Sequence, residues 1–279
     1  MKEYGRKILT GILIVSFLVS LFMMYRQQKD KNTGHDAYAH AQQLAVSPLQ
    51  SEPEPTETAP SAENREETIE PEYRWIPEPI GMEDPHIHYL ETIHLDTLRE
   101  TNPDVLGWIF IPDTPINHPL VQGEDNEYYL KRTWEGDRNV MGSIFLETEN
   151  TPDFTDFNTI VYGHNMNDGS MFAEIKQYRD QAYAQQHPYV YILNDAGAFR
   201  YEIFAAYEAD VESSTYGLSF NQEKTRINFL ADAAENSDID MGIEPALTDR
   251  ILTLSTCTGT GYSTRWVVQA RLKMTYAPQ

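Results

Sequence analysis

Residues 251–272 run ILTLSTCTGTGYSTRWVVQARL. An apolar stretch at 251–254 has strand character and delivers Ser255, Thr256 and Cys257 to its end. Residues 258–264 are rich in Gly, Thr and Ser, the composition of a loop, and Arg265 opens a second strand that continues to Leu272. Cys257 is the chain's one cysteine, so no intramolecular disulfide and no multi-cysteine zinc site can form. A structural cysteine more often packs in mid-strand, whereas a thiol at a strand end, just before a loop, meets solvent and substrate.

Working outward, short strand-like stretches recur at 107–111, 116–121, 142–146, 159–162, 189–193 and 199–209, completed by 250–256 and 266–276 around the cysteine. Residues 194–197, Asn-Asp-Ala-Gly, suit a hairpin turn. Helical patterns interrupt. Leu90, Ile93, Leu95 and Leu98 predict one helix that Asn102-Pro103 ends, and further helical pieces are expected at 170–178 and 222–234. In the last, Ile227, Leu230 and Ala234 share a face. Many short strands with few helices predict a mainly β chain: a β-barrel with an N-terminal helix and helical insertions.

Ahead of this domain the chain changes character. Residues 1–7 form a short basic N-terminus, and 8–25, ILTGILIVSFLVSLFMMY, carry no charge. At 1.5 Å per residue, 18 residues span about 27 Å, enough for a hydrocarbon core. No small-x-small cleavage site follows closely, so an uncleaved anchor is expected. Residues 26–72, with SEPEPTETAPSAENREETIEPE at 51–72, are polar and rich in Pro and Glu, and are expected to be a disordered tether. The domain is expected over 73–279. The chain is 279 residues long with net charge −22, which excludes the basic face that nucleic-acid binding needs. Basic residues flank both ends of the anchor, and the large acidic domain beyond it favours a single-pass arrangement with that domain extracytoplasmic.

A cysteine nucleophile needs help to ionise, and a nearby imidazole or guanidinium supplies it. Of the eight histidines, His35 and His40 lie in the tether, His86, His88 and His94 around the first helix, and His118 and His187 precede prolines. His164 alone shares the setting of Cys257, following an apolar strand and a glycine in TIVYGHNMNDGSMF. VYGHNM (161–166), LSTC (254–257) and Arg265, eight residues beyond the cysteine, together resemble the signature of sortases. NPDVLGWI (102–109), INHPLVQG (116–123), GSIFL (142–146) and the helix-bearing insertion before the cysteine strand resemble class B members of that family. The likeness covers roughly 84–276.

The resemblance implies an eight-stranded sortase-like barrel and a membrane-anchored cysteine transpeptidase. Cys257 is then the nucleophile, His164 the acid/base and Arg265 the oxyanion partner, with Asn117, Val121, Tyr216 and Ser255 lining the substrate groove. Arg250 and Arg271 are the rival arginines. Arg271 lies six residues further along the strand, about 20 Å from Arg265, so only one of the two can stand beside Cys257. The implied partners are secreted proteins bearing a C-terminal sorting signal, an amine from a peptidoglycan precursor or a pilin, and the membrane through the N-terminal helix. No metal or organic cofactor is expected. Two other readings remain: a surface-tethered cysteine hydrolase and a non-enzymatic surface-binding barrel. Papain-like hydrolases place Cys before His, the reverse of the order here. A buried structural thiol, as in a binding barrel, would be inert to labelling near neutral pH.

Overall fold

All eight expected strands form. The computed structural model describes residues 2–46, 84–257 and 263–277. Its strands are β1 (Val105–Phe110), β2 (Asn117–Val121), β3 (Ile144–Leu146), β4 (Asn158–Tyr162), β5 (Tyr189–Asn194), β6 (Gly197–Asp210), β7 (Ile251–Cys257) and β8 (Thr264–Tyr276). They close in the order β1-β2-β3-β4-β7-β8-β6-β5, with β5 returning to β1. The β2/β3 and β4/β7 pairs are parallel and the others antiparallel. Register shifts after Arg200 and Ile203 interrupt the long β6/β8 ladder; such bulges bend a strand and help a sheet close. The 194–197 hairpin turn is present. Asn194 pairs with Gly197, whose φ of +122° suits glycine, and Asn194 Oδ1 accepts the Ala196 amide at 2.8 Å.

Period-two alternation assigns the two faces of the sheet. Leu252, Leu254, Val268 and Ala270 join the main core, whereas Ile251 and Val267, in the opposite phase, join a second cluster with Phe204, Tyr207, Phe220 and Phe229. This second cluster lies under α5 (Glu223–Asn236), which arises in the insertion between β6 and β7. The face of α5 is not the expected one. Phe229 and Ala233 are buried, Leu230 is half-buried, and Ile227 and Ala234 are exposed. Phe229 meets the rings of Phe157 and Phe220 at 5.7 and 5.1 Å, and an aromatic buries more surface than Ile227 could.

Two other expectations are corrected. The single helix near 88–102 is two, α2 (Pro85–Glu91) and α3 (Leu95–Thr101). Asp84 caps α2 by accepting the His86 amide, with Pro85 at the first turn, and the Thr92 hydroxyl donates back to Tyr89 O at 2.7 Å where the helix ends. The segment expected at 170–178 is a 3-10 turn, Ala173–Arg179, followed by α4 (Gln181–Gln186).

The extended tether is corrected over 26–46. Helix α1 runs unbroken over Lys2–Val46, and its second half docks on the barrel, burying Ala37, Tyr38, Ala41 and Ala45. Small alanines among His, Gln and Asp give a weak apolar signal, so the helical stripe is hard to see in sequence. Residues 47–72 of the expected tether lie outside the described residues. In the first half of α1 the large apolar side chains over 12–25 are exposed, and the helix is long and apolar enough to cross a membrane.

The docked half of α1 covers a buried histidine on β2. His118 is 8% exposed, the Tyr38 ring stands edge-on to it at 5.1 Å, and neither ring nitrogen reaches a hydrogen-bond partner among the described residues. Burial pushes its pKa from 6.5 down to about 4. The unfolded chain therefore takes up this proton first, so stability is full above about pH 6.5 and falls as pH drops toward 4. A shift of this size corresponds to roughly 3 kcal/mol. His118→Leu is expected to flatten this loss, the gap between the two proteins changing by about 2 kcal/mol between pH 7 and pH 4.5. Urea unfolding at the two pH values reads the difference, and parallel losses would refute the role of His118.

Candidate active site

Three adjacent strands bring the candidate residues to one end of the barrel. In the parallel β4/β7 pair, Tyr162 stands opposite Ser255, and the Gly163 amide extends the ladder to Ser255 O at 3.1 Å. The chain thus leaves β4 at His164 beside the point where β7 reaches Cys257, its last residue. Across the antiparallel β7/β8 pair, Cys257 stands directly opposite Arg265, and directly opposed residues are the closest cross-strand neighbours a sheet provides. Arg271 stands opposite Ile251, at the far end of the same ladder, where it binds Glu202 Oε2 at 2.9 Å. The register therefore separates the rival arginines. The loop 258–262 lies outside the described residues.

His164 is held by close backbone contacts. Its Nε2 lies 2.6 Å from Leu130 O; a carbonyl only accepts, so Nε2 carries the proton and Nδ1 is the other, opposite nitrogen. Gly142, at φ +58°, packs against the ring, and a Cβ there would lie 2.7 Å from both His164 Cδ2 and Leu130 O. Gly163 is equally constrained, since a Cβ there would stand 2.6 Å from the Phe172 ring. The Phe172 amide donates to His164 O at 2.9 Å, and an Asn165–Met171 bridge closes the loop. The glycine before the histidine thus lets Phe172 pack beneath it.

Arg265 is half-buried, and its Nη1 donates to Thr264 O at 2.9 Å. Nearby, the Tyr162 hydroxyl donates to Glu147 Oε2 at 2.9 Å. Burial, then the Glu147 carboxylate, push the Tyr162 phenol far above its usual range, with the Arg265 charge acting the other way. Tyr162 is therefore a neutral donor beside the arginine.

Of the four expected groove residues, two meet. The Tyr216 hydroxyl and Ser255 Oγ are 2.9 Å apart. Asn117 is half-buried, and both ends of its amide are engaged: Oδ1 by the Trp108 indole at 2.6 Å, and Nδ2 by the Tyr89 hydroxyl at 2.7 Å. Val121 is fully buried in the core.

A buried polar network not anticipated from sequence seats Tyr216. Asn158 Nδ2 donates to Thr215 O and Gly217 O at 3.1 and 3.0 Å, and its Oδ1 accepts from the Thr253 hydroxyl at 2.7 Å. Gln269 donates to Thr253, and the Tyr207 hydroxyl links Gln269 to Thr215. Satisfied buried networks of this kind fix one geometry, because any displacement strands a polar group away from water. Asn158, Thr253 and Gln269 are polar interruptions in apolar strands, the one signal that sequence offered. Among the described residues, no group of three or more His, Cys, Asp or Glu could hold a metal ion.

Comparison with known proteins agrees with this fold. Residues 109–273 match the family model described as the sortase domain. Sortase B of Listeria monocytogenes is 37% identical over 180 residues, covering 64% of this chain and 73% of that protein. The crystal structure of sortase B from Staphylococcus aureus superposes with a TM-score of 0.62 at 29% identity, covering 65% of this chain and 87% of that one. A Staphylococcus aureus sortase B–substrate complex gives 0.61 at 30% identity, covering 64% and 84%.

Proposed function

The chain belongs to the sortase family of cysteine transpeptidases, and from that premise we propose that it cleaves a C-terminal sorting signal on secreted proteins and transfers them to an amine. The observation that carries the assignment of residues is the strand register, in which Cys257 faces Arg265 and the chain after β4 brings His164 alongside.

In the first half-reaction the Cys257 thiolate attacks the threonine carbonyl carbon of the sorting signal. Arg265 donates hydrogen bonds to the oxyanion, where donors aimed at developing charge contribute most. His164, as imidazolium, protonates the departing amine as the C–N bond breaks, leaving a thioester on Cys257. In the second half-reaction an incoming amine attacks that thioester, His164 takes its proton, and the thiolate leaves. The amine comes from a cell-wall precursor or a pilin. Tyr216 belongs to the wall along which the signal lies, with Ser255 held against it at 2.9 Å and the half-buried Asn117 on the same wall, whereas the fully buried Val121 packs behind it. The apolar half of α1 crosses the membrane once, with the catalytic domain outside the cytoplasm. The docked half of α1 belongs with that domain.

Peptide challenge followed by intact-mass measurement tests the proposal. With a sorting peptide alone, a thioacyl adduct on Cys257 is expected to accumulate. Adding an amine is expected to discharge it as a new amide. If water discharges the adduct as fast as every amine tried, the chain is a peptidase. If no adduct forms with any sorting peptide, the assignment of Cys257 fails.

A further inference from the structure

Helix α1 continues past the apolar run, and its second half lies on both chain segments that flank His164. One segment is 130–143. It supplies the Leu130 carbonyl that accepts the hydrogen bond from the imidazole Nε2–H, and the Gly142 backbone against which the ring rests. Helix α1 grips this segment at successive turns. Asn139 Nδ2 donates to Asp30 O at 2.7 Å, and Trp134 Nε1 donates to Ala37 O at 2.8 Å. The Tyr38 hydroxyl donates to Gly142 O and lies 3.4 Å from Ser143 Oγ. Gly34 packs so tightly that a Cβ there would lie 2.7 Å from Asn139 Oδ1, and closer still to Met141.

The other segment is the loop after His164. The Asp168 carboxylate lies 3.7 Å from Lys31 Nζ and 3.5 Å from His35 Nε2. Exposed ion pairs contribute little energy, but these show that the helix touches the histidine loop from its other side.

Tyr38 is the most telling of these contacts. It is 5% exposed, and burial pushes its phenol well above the usual range, so it remains a donor at any working pH. Packing of α1 alone would need only the ring. The hydroxyl instead donates to the carbonyl of Gly142, whose backbone packs against the ring of the candidate acid/base.

We propose that Tyr38 is a positioning residue for His164, acting through the Gly142 peptide, so that the juxtamembrane half of α1 sets the imidazole's tautomer and aim. This rests on the reading of His164 as acid/base. It also ties the geometry of the site to the membrane anchor, since the same unbroken helix serves both.

The test uses the full chain in detergent micelles, with Tyr38→Phe and Gly34→Leu. Phe keeps the ring and loses only the hydroxyl, while Leu at 34 wedges the helix away from Met141 without touching His164. Nitrogen-15 spectra of histidine side chains read the tautomer, with the His164 signal identified by its loss in His164→Gln. Cleavage of a fluorogenic sorting peptide separates kcat from KM. The wild-type is expected to hold His164 as the Nε2–H form. Tyr38→Phe is expected to mix the tautomers and lower kcat about fivefold, the scale of one neutral hydrogen bond, with KM and the melting temperature nearly unchanged. Gly34→Leu is expected to mix them further and lower kcat more. An unmixed tautomer in both variants overturns the proposal, whether kcat is unchanged or falls together with the melting temperature. The spectra need no turnover, so they decide the positioning role even if no peptide is cleaved and the assigned function fails.

Discussion

Cys257→Ala is expected to abolish release of the C-terminal half of a sorting peptide, with a loss of about 10⁴-fold or more, the scale seen when a covalent nucleophile is removed. No other residue can take the role, because the chain has one cysteine. The substitution removes a single heavy atom and keeps the strand pairing. Backbone bonds hold β7 between β4 and β8, and these do not involve the thiol. The melting temperature is therefore expected to stay within a few degrees, which separates lost chemistry from lost structure. Peptide release and intact mass are the measurements. Turnover retained in the alanine variant, or an adduct still formed elsewhere on the chain, would sink the assignment of nucleophile.

His164→Ala and Arg265→Ala are each expected to lower kcat/KM by about 10²–10⁴-fold, the usual range for a lost acid/base or oxyanion donor. The two should fail differently. Without His164 the thiol loses its proton partner in both half-reactions, so adduct formation and amine discharge both slow. Without Arg265 the loss falls on the steps that pass through the oxyanion. Arg265→Lys is expected to recover only part of the rate, because an ammonium lacks the planar fork of donors. Arg271→Ala is the control. Arg271 is held by Glu202, with Asp249 3.8 Å away, at the opposite end of the ladder. Its loss is expected to lower the melting temperature while leaving kcat nearly intact. A larger fall in kcat for Arg271→Ala than for Arg265→Ala would overturn the choice of arginine.

Some of this was legible in the linear chain because the information is local. Alternating apolar residues mark strands, Asn194 to Gly197 mark a hairpin, and 18 uncharged residues mark a stretch that can span a bilayer. The strand ends at His164 and Cys257 could be read for the same reason: a loop composition begins where an apolar run stops. Each such feature depends on neighbours a few residues away, which is the range over which backbone propensity and side-chain period act.

The tertiary structure alone decided what depends on distant partners. The family likeness and the linear order favoured Arg265 over Arg271, but the choice rests physically on which residue stands opposite Cys257 in a ladder. The buried face of α5 turned to Phe229 because Phe157 and Phe220 wait there. The Asn158–Thr253–Gln269 network joins residues up to 111 positions apart, as each polar group finds the partner that burial demands. Residues 26–46 look like tether by composition, yet they fold as helix because Tyr38 and the small alanines fit a barrel surface that exists only once the strands have closed. The strands, a stretch able to span a bilayer and the chemistry-bearing types Cys, His and Arg follow from the sequence, because all are written in local pattern. Only the fold decided which residues meet, and that the helix carrying the apolar stretch reaches the peptide on which the histidine rests, because long-range contact is a property of packing and of no single segment.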